Sequence, residues 1–468
     1  MVTNTETPTP EEVDVVVIGG GSTGENVAGR AVERGLEAAL VEADLLGGEC
    51  SYWACMPSKA LLRPGQALAA ARRVPGAAPA VTGEVDVAAT LRSRDAFAGL
   101  DDTGQQRWVD EAGVRPVRGR GRLDGERRVV VDGPDGVTVL HARRAVVVAT
   151  GTGAALPPID GLADARPWTN REATQVTEIP DRLAVLGGGV VGVELAQAFR
   201  RLGAQVTVLE AEDRLLGREE AFAGRDVAEA LAAEGVDVRT GAKVTAVARH
   251  DDGSVSLDIA DGSRVTADEL LVAVGRRPRT DDLGLDTVGL EPGGWLTVDD
   301  QLRVADVAGG WLYAAGDVNA RNLLTHMGKY QARIAADVIA GRDVSAWADH
   351  VANPRVVFTD PEVAAVGLTE AQAREQGYAI RVIEVGTTAN AGGALLGKGV
   401  GGTSRLVIDT DRDVVVGATF TGPGVGELLH AATIAVAAAV PLSLLWHAVP
   451  SFPTVSELWL RLLEEAGL

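Results

Sequence analysis

The chain is poor in cysteine, in basic charge and in long apolar runs. Only two of its 468 residues are cysteines, Cys50 and Cys55, both in the stretch GGECSYWACMPSKALL at residues 47–62. The 44 Lys and Arg residues face 65 Asp and Glu residues, for a net charge of −21. This balance argues against nucleic acid or an anionic membrane as a partner, because both favour basic patches. No apolar run approaches the ~20 residues that span a bilayer.

Because Cys50 and Cys55 are the only cysteines, few roles are possible for them. The first twelve residues, MVTNTETPTPEE, are polar and acidic, unlike a secretory signal, so we expect a short disordered tail and a cytoplasmic protein. The cytosol keeps thiols reduced, which disfavours a structural disulfide. A zinc site needs about four ligands, and the six histidines offer no pair near the cysteines. A redox pair, inert thiols and a metal site remain the alternatives at this point.

Glycine is abundant, with 57 residues, and it organises the chain. A buried strand over 13–18 runs into a glycine turn, a helix and a second strand over 38–41. The same order recurs in RLAVLGGGVVGVELAQAFRRLGAQVTVLEA, where Gly187 lies 168 residues after Gly19. Further helices are predicted from about Pro57 and over 326–341, whereas residues 81–143 show no clear pattern. The length suits about three domains.

Each glycine turn carries the fingerprint of a dinucleotide site. The spacing G-x-G-x-x-G after a strand allows a tight turn, close approach of backbone to a pyrophosphate and close helix packing. Free N–H groups at the helix start then favour the phosphates. An acidic residue at the end of the next strand can accept from a ribose hydroxyl. The two sets are Gly19, Gly21, Gly24 with Glu42, and Gly187, Gly189, Gly192 with Glu210.

The motifs together resemble those of the class I pyridine nucleotide-disulfide oxidoreductases, which include dihydrolipoamide dehydrogenase, glutathione reductase and mercuric reductase. The resemblance covers nearly the whole chain. It rests on GGGSTGE, GGECSYWACMPSK, ATGTGA, GGGVVGVELA, VGRRPRTDDL, YAAGDV and FTDPEVAAVGLTE. It implies an α/β fold with two Rossmann-like dinucleotide-binding domains and a C-terminal α+β dimerisation domain. It also implies a homodimer whose active sites use residues of both subunits.

The resemblance divides the chain as follows. Residues 1–155 are expected to form the first part of an FAD-binding domain, and residues 156–278 an inserted NAD-binding domain. Residues 279–348 would complete the FAD-binding or central part, and residues 349–468 the interface domain. FAD and NAD(P)H are the implied cofactors. NADH is favoured, because a carboxylate at Glu210 accepts from a ribose 2′-hydroxyl and repels a 2′-phosphate, although Arg214 lies nearby.

In the family, two cysteines separated by four residues lie against the flavin. Cys50 matches the interchange thiol that attacks substrate, and Cys55 the thiol that contacts the flavin as a thiolate. A helix start near Pro57 agrees with this, because the positive end of a helix dipole lowers a thiol's pKa. The resemblance therefore favours a redox pair over inert thiols or a metal site.

Other site residues carry over by their motifs. Lys59 matches the family lysine beside flavin N5, and Glu194 the glutamate that pairs with it. Asp317, after Gly316, matches the acid that binds the ribityl chain. Thr150 and Gly151 match a turn near the cofactor. Gly19, Gly21, Gly24 and Glu42 match the positions that hold the adenosine half of FAD.

The pattern breaks near the C-terminus. Disulfide-reducing relatives end in a motif like HPTxxE, in which the His relays a proton and the Glu orients it. Here the stretch is PSFPTVSE, so Glu457 is retained and Phe452 replaces the His. Phenylalanine cannot carry a proton, and His447 would need a different backbone path to substitute. Mercuric reductases also lack the His but carry extra C-terminal cysteines, which this chain does not have.

These observations leave three candidate functions. The first is an FAD enzyme that passes electrons from NADH through the thiols to an atypical small-molecule acceptor, namely a quinone, a metal ion or a specialised sulfur compound. The second is a conventional disulfide reductase, such as dihydrolipoamide dehydrogenase, with a substitute acid. The third is a flavin-binding protein without catalysis. Tyr52 and Trp53, between the cysteines, either line a pocket for a flat acceptor or only pack.

Overall fold

The computed structural model describes residues 10–468, and the predicted tail at residues 1–9 lies outside them. In chain order the strands are β1 Glu11–Ile18, β2 Ala38–Glu42, β3 Arg115–Arg118, β4 Arg120–Leu123, β5 Arg128–Gly133, β6 Gly136–Val148, β7 Thr152–Ala154, β8 Arg182–Leu186, β9 Gln205–Leu209, β10 Asp237–Arg239, β11 Val244–Arg249, β12 Val255–Ile259, β13 Arg264–Ala267, β14 Glu269–Val272, β15 Arg276–Pro278, β16 Leu312–Ala314, β17 Arg355–Val357, β18 Glu362–Gly367, β19 Ile380–Gly386, β20 Thr403–Asp409 and β21 Val414–Gly422.

The α-helices, again in chain order, are α1 Ser22–Glu33, α2 Gly48–Tyr52, α3 Cys55–Arg73, α4 Val87–Ala98, α5 Thr103–Glu111, α6 Asn170–Thr174, α7 Val190–Arg201, α8 Ala221–Ala233, α9 Thr325–Ile339, α10 Ala348–Val351, α11 Glu370–Glu375, α12 Ala391–Leu395, α13 Val425–Ala437, α14 Leu442–Leu445 and α15 Leu458–Glu465. None of the helices within residues 10–468 is both long and apolar enough to cross a bilayer.

The chain forms two compact units. The first comprises residues 10–56, Ala98–Gly153 and Arg276–Asp349. Its sheet has the order β3-β2-β1-β6-β5-β4, and β16 pairs with the end of β6. Strands β3, β2, β1, β6 and β16 pair in parallel, as in a dinucleotide-binding fold, whereas β5 and β4 continue antiparallel.

The core of the first unit follows from the continuous apolar strands predicted at residues 13–18 and 38–41. Val15, Val16 and Val17 are fully buried, because a parallel strand at the middle of a sheet is covered on both faces. The strand begins at Glu11, two residues before the predicted start, since Glu11 pairs with Leu140 on β6. The unpatterned stretch 81–143 supplies α5 and β3–β6 of this unit, with most of α4 belonging to the second.

The second unit comprises Pro57–Phe97, Ala154–Gly275 and His350–Leu468. It contains a parallel sheet β10-β9-β8-β14, an antiparallel sheet β11-β12-β13, and a five-stranded antiparallel sheet β17-β18-β21-β20-β19. Helices α13 and α15 pack on the five-stranded sheet, where Phe420 and Trp459 meet edge to face at 6.1 Å. The mixed α/β class predicted from the sequence is confirmed, including an α+β arrangement near the C-terminus.

Candidate active site

The first glycine turn, between β1 and α1, is built by close backbone packing. Gly19 has a φ of +105°, and a β-carbon there would lie 2.5 Å from the Ala149 carbonyl oxygen. A β-carbon on Gly24 would lie 1.8 Å from the Gly19 carbonyl oxygen. Gly21 differs, because its φ of −72° suits any residue and its nearest contact for a β-carbon is 3.9 Å away. No contact among residues 10–468 requires glycine at position 21, which suits a turn whose backbone is approached by a bound group.

The acid at the end of β2 closes this turn. Glu42 accepts the Gly20 N–H on Oε2 at 2.6 Å and the Asp44 N–H on Oε1 at 2.7 Å. Burial raises the pKa of its carboxyl, and these backbone hydrogen bonds act against the rise. Glu42 therefore fixes the loop around Gly20 within the first unit.

The second glycine turn, between β8 and α7, repeats the first. Gly187 has a φ of +111° and would place a β-carbon 2.6 Å from the Ala273 carbonyl oxygen. A β-carbon on Gly192 would lie 1.9 Å from the Gly187 carbonyl oxygen, whereas Gly189 has nothing within 4 Å. The open middle position again fits a pyrophosphate that approaches the backbone. Both turns therefore fit a dinucleotide.

Glu210 in the second unit occupies the place that Glu42 has in the first. Its Oε2 accepts the Gly188 N–H at 2.6 Å, and its Oε1 accepts the Glu212 N–H at 2.9 Å. The nearby Arg214 donates to the carbonyl oxygens of Glu219 and Gly217 at 2.9 and 2.7 Å. The guanidinium of Arg214 is thus already engaged by its own loop.

A second polar group lies just after β6 and β16, at the same carboxyl-terminal edge of the parallel strands as the first glycine turn. Asp317 accepts from the Thr152 hydroxyl at 2.7 Å, and Arg276 donates to the same hydroxyl oxygen at 2.5 Å. Burial raises the pKa of Asp317. Gly316, with a φ of +80°, would place a β-carbon 2.7 Å from the Thr23 hydroxyl, so only glycine suits this position.

The predicted turn at Thr150 and Gly151 follows β6. The Thr150 hydroxyl is buried and has no hydrogen-bond partner within residues 10–468. Gly151 has a φ of +67° and open space where a β-carbon would be. A buried hydroxyl without a partner beside an open glycine fits the edge of a cofactor, because buried polar groups are normally hydrogen-bonded.

Lys59 and Glu194 form the ion pair that the sequence predicted. The Lys59 ammonium donates to Glu194 Oε2 at 2.7 Å, and the Glu194 side chain is only 3% exposed. The second oxygen of Glu194 accepts the Phe358 N–H at 2.9 Å, and the Phe358 ring lies 4.8 Å from the ammonium. Both carboxylate oxygens are satisfied, so this charge pair has a single arrangement. Phe358 was missed by the sequence reasoning, although it lies in the quoted motif FTDPEVAAVGLTE.

The two cysteines are on consecutive helices, Cys50 on α2 and Cys55 at the first position of α3, two residues before the predicted start. Both are present as reduced thiols. Cys55 Sγ lies 3.3 Å from the Thr325 hydroxyl at the start of α9. Contact with the Cys55 thiol and burial raise the pKa of Cys50, whereas Thr325 and the charge of Lys329 lower it. Thr325 and Lys329 both lie in the stretch LLTHMGKYQ of α9. Nothing in the sequence indicated that they affect the pKa of Cys50.

The aromatic residues between the cysteines pack into the unit. Tyr52 and Trp53 are 3% and 7% exposed, and their rings meet edge to face at 5.6 Å. The Tyr52 hydroxyl donates to the Leu46 carbonyl oxygen at 2.8 Å, and burial raises its pKa to about 12. Packing, rather than the lining of an open pocket, is thus their role in the chain.

The C-terminal stretch shows the consequence of the missing histidine. Phe452 is 75% exposed in the single chain, and His447 is also exposed. Glu457 ends a short 3₁₀ turn, and its Oε2 is buried with no hydrogen-bond partner in the described part of the chain. The carboxylate that would orient an imidazole is therefore present without an imidazole to orient. No cluster of three or more metal-ligating side chains occurs within residues 10–468.

Two dinucleotide turns, a dithiol and a lysine–glutamate pair define a flavin- and nicotinamide-dependent oxidoreductase. Family models match residues 13–336 as a pyridine nucleotide-disulphide oxidoreductase and residues 353–462 as the dimerisation domain of that family. The chain belongs to the pyridine nucleotide-disulphide oxidoreductase family. Its members use FAD and NAD(P)H, so the chain is a flavin-dependent NAD(P)H oxidoreductase.

Similar proteins span nearly the whole chain. Dihydrolipoyl dehydrogenase 3 of Pseudomonas aeruginosa is 35% identical over 452 residues, covering 94% of this chain and 96% of the relative. A mercuric reductase of Shigella flexneri is 34% identical, covering 92% of this chain and 77% of the relative. The solved structure of LpdA from Mycobacterium tuberculosis matches with a TM-score of 0.85 at 27% identity, covering 97% of this chain and 100% of the solved one.

Proposed function

We propose that the chain passes electrons from NADH through its dithiol to an acceptor that needs no histidine proton relay. The observation that carries the proposal is the pair Phe452 and Glu457. Phe452 replaces the relay residue, and the Glu457 carboxylate keeps a buried oxygen without a partner. A positioned acid–base group is worth about 10²–10⁴-fold in rate, so its loss weighs against ordinary thiol–disulfide exchange. A quinone, a metal ion or a specialised sulfur compound remains as the acceptor.

The residues divide into groups with distinct tasks. The middle glycines leave room for the pyrophosphates, and helix starts offer N–H groups to them. Bound FAD supplies the capacity to take a hydride and return an electron pair to the disulfide. Asp317 and Thr152 would orient the ribityl chain, and Glu194 fixes the Lys59 ammonium. The full FAD set proposed is Gly19, Gly21, Gly24, Glu42, Thr150, Gly151, Gly316 and Asp317, and the NAD set is Gly187, Gly189, Gly192 and Glu210.

NADH is the proposed donor. Glu210 places a carboxylate at the expected ribose position, and Arg214 is held by carbonyl oxygens of its own loop. A 2′-phosphate would meet the negative charge without a free guanidinium. Stopped-flow reduction of the bound flavin should be faster with NADH than with NADPH. Equal or faster reduction by NADPH would contradict the assignment.

A homodimer is the proposed assembly, and we keep the domain boundaries given by the resemblance. The family's dimerisation domain matches residues 353–462. Within it, α14 and the segment after it expose four large apolar side chains, which are Leu444, Trp446, Val449 and Phe452. An exposed apolar cluster of this kind is typical of a protein interface.

A conventional disulfide reductase is the second candidate. The 35% identity to a dihydrolipoyl dehydrogenase and the retained Glu457 favour it. A substitute acid, His447 first among the candidates, would then supply the proton.

Steady-state NADH oxidation by the FAD-loaded enzyme separates the two candidates. The acceptors are lipoamide, glutathione disulfide, a soluble quinone and a divalent mercury or copper salt. Cys50→Ser is measured in parallel, because it separates acceptors reduced through the thiols from acceptors reduced directly at the flavin. We expect turnover with a quinone or metal ion and slow turnover with both disulfides. Family-typical rates with lipoamide would favour the second candidate.

A further inference from the structure

The starts of three helices converge around the thiols in the first unit. A β-carbon on Gly48 would lie 2.8 Å from the Gly21 α-carbon, so the start of α2 touches the start of α1. A β-carbon on Gly328 would lie 2.3 Å from the Thr23 hydroxyl, so α1 also touches the first turns of α9. Helix α2 carries Cys50. Helix α1 therefore contacts both the helix that carries Cys50 and α9.

The first charged group in this region is Glu25, in the first turn of α1. Its Oε1 is buried and has no hydrogen-bond partner within residues 10–468. Burial raises the pKa of its carboxyl to about 7, and the charge of Lys329 acts against this rise. Two other carboxylates, Glu42 and Asp102, face it and raise its pKa further, and Glu25 in turn raises the pKa of Tyr52. Glu25 is thus a carboxyl that titrates near neutral pH.

The second group is Lys329 on α9. It lies four residues after Thr325, which places the two on the same face of the helix. The Thr325 hydroxyl contacts Cys55 Sγ at 3.3 Å, so this face is turned toward the thiols. The ammonium lowers the pKa of the Cys50 thiol, against the opposing effects of Cys55 and burial. Lys329 thus acts electrostatically on both Cys50 and Glu25.

We propose that Glu25 and Lys329 are positioning residues that together set the thiolate fraction of Cys50. The Lys329 ammonium stabilises the thiolate, and the proton of Cys50 passes to solvent. When Glu25 loses its own proton, its carboxylate offsets the ammonium and weakens this stabilisation. No electrons move in this step. The inference rests on the proposed role of Cys50 as the interchange thiol, and it supplies a way to form that thiolate without a histidine base.

The pH dependence of Cys50 reactivity shows whether Glu25 and Lys329 act on the thiol or have only a structural role. Below about pH 7 a neutral Glu25 leaves the full effect of Lys329 on the thiol. Above that pH the carboxylate reduces the effect, so reactivity should rise less steeply than for a single thiol. Without the carboxylate, the profile should follow one titration and reach higher rates above pH 7.

Alkylation of Cys50 by iodoacetamide tests the proposal directly. The parent is the FAD-loaded Cys55→Ser enzyme, in which Cys50 is the only thiol. The rate is followed by mass spectrometry from pH 5.5 to 9.5 without NADH or any acceptor. The result is therefore independent of which acceptor the enzyme uses, and failure of the acceptor assignment would not change it.

Lys329→Met should slow alkylation at pH 7 by about threefold to tenfold, because the thiolate loses a nearby positive charge. Lys329→Arg should stay within about twofold of the parent, because the charge is kept. Lys243→Met removes an exposed lysine of the second unit and is the matched control. A Lys329→Met rate equal to the control at every pH would overturn the role of Lys329.

Glu25→Gln should raise the alkylation rate above pH 7 and give a profile with one titration. A profile that superimposes on the parent would overturn the role of Glu25. If Glu25→Gln does not retain FAD, Glu25→Val replaces it, since valine stands at the matching position of the second turn. The parent itself gives a test without substitution, because 1 M KCl should screen the exposed Lys329 and slow alkylation at pH 7. No effect of salt would count against the proposal.

Discussion

The two glycine turns are nearly identical in geometry and differ in the charge that follows them. In each, the carboxylate at the next strand end accepts, at 2.6 Å, the N–H of the residue between the first two motif glycines, Gly20 or Gly188. The residue after the third glycine is Glu25 in the first turn and the fully buried Val193 in the second. The first turn therefore carries an ionisable side chain at the position where the second turn carries a core residue.

The difference shows which positions of the repeated turn can vary in sequence and can therefore carry an ionisable side chain. The turn itself is set by backbone contacts that a β-carbon would break, so both copies retain it. The first turn of the helix is less constrained. In the second unit the acid nearest the helix start, Glu194, lies beyond the first turn and has both oxygens satisfied by Lys59 and the Phe358 N–H. In the first unit Glu25 keeps an unpartnered oxygen. Burial raises the pKa of the Glu25 carboxyl to about 7, so this group can titrate near neutral pH.

The largest expected effect comes from filling the third glycine of each turn. Gly24→Ala and Gly192→Ala would each force a β-carbon within 2 Å of a carbonyl oxygen, at 1.8 and 1.9 Å before relaxation. We expect Gly24→Ala to lose at least about tenfold in FAD affinity, given overpacking costs of about 1–3 kcal/mol. Gly192→Ala should stay yellow and lose NADH affinity instead. Flavin absorbance and NADH titration measure the two effects.

Gly104→Ala is the matched control for this pair, because it has open space for a β-carbon in α5. It should keep FAD and NADH affinity. Loss of FAD from Gly192→Ala with retention in Gly24→Ala would reverse the assignment of the two turns.

The sequence predicted these turns well because their requirements are local. The strand, the three glycines and the distal acid of the first copy all lie between Glu11 and Glu42, and the Lys59–Glu194 pair came from two specific motifs. Residues 81–143 gave no prediction, because strand β3 is defined only by pairing with β2, far away in sequence. Glu25 lay in a quoted motif, yet its burial and the charge facing it depend on α9, some 300 residues later. Such properties arise from tertiary packing and leave no local pattern.

Removing the partner of the satisfied carboxylate should have an effect of comparable size, on stability rather than on cofactor affinity. Lys59→Met leaves Glu194 buried with one oxygen unpaired, and breaking such a pair costs about 3 kcal/mol. The thermal midpoint of the FAD-loaded enzyme should fall accordingly. The double variant Lys59→Met with Glu194→Leu should recover part of the loss, because no charge is then left buried. A double variant less stable than Lys59→Met would contradict this explanation.

Substitution of the unsatisfied carboxylate should have an effect of opposite sign, confined to higher pH. Its pKa of about 7 in the folded chain exceeds the unfolded value near 4.5, so the folded form holds its proton longer. Below pH 4.5 both states are protonated and nothing is lost. Stability then falls as pH rises toward 7, and the penalty remains above it. Glu25→Gln should therefore stabilise the enzyme at pH 8 by up to about 3 kcal/mol and leave it unchanged at pH 4.

Thermal midpoints at pH 4, 6 and 8 measure this dependence. Glu33→Gln, an exposed residue at the end of the same helix, is the control and should show no comparable gain at pH 8. A Glu25→Gln variant equally stabilised at all three pH values would show that the carboxyl does not titrate as described.

The central claim is that Phe452 in place of a histidine sets the acceptor, and one substitution tests it most directly. Steady-state reduction of lipoamide and of a quinone by NADH is measured for the FAD-loaded enzyme and for Phe452→His. Because Glu457 keeps a buried oxygen for an imidazole, the variant should gain up to about 10²-fold with lipoamide and change little with the quinone. An unsubstituted enzyme that already reduces lipoamide as fast as its relatives, with no gain from the histidine, would contradict the claim.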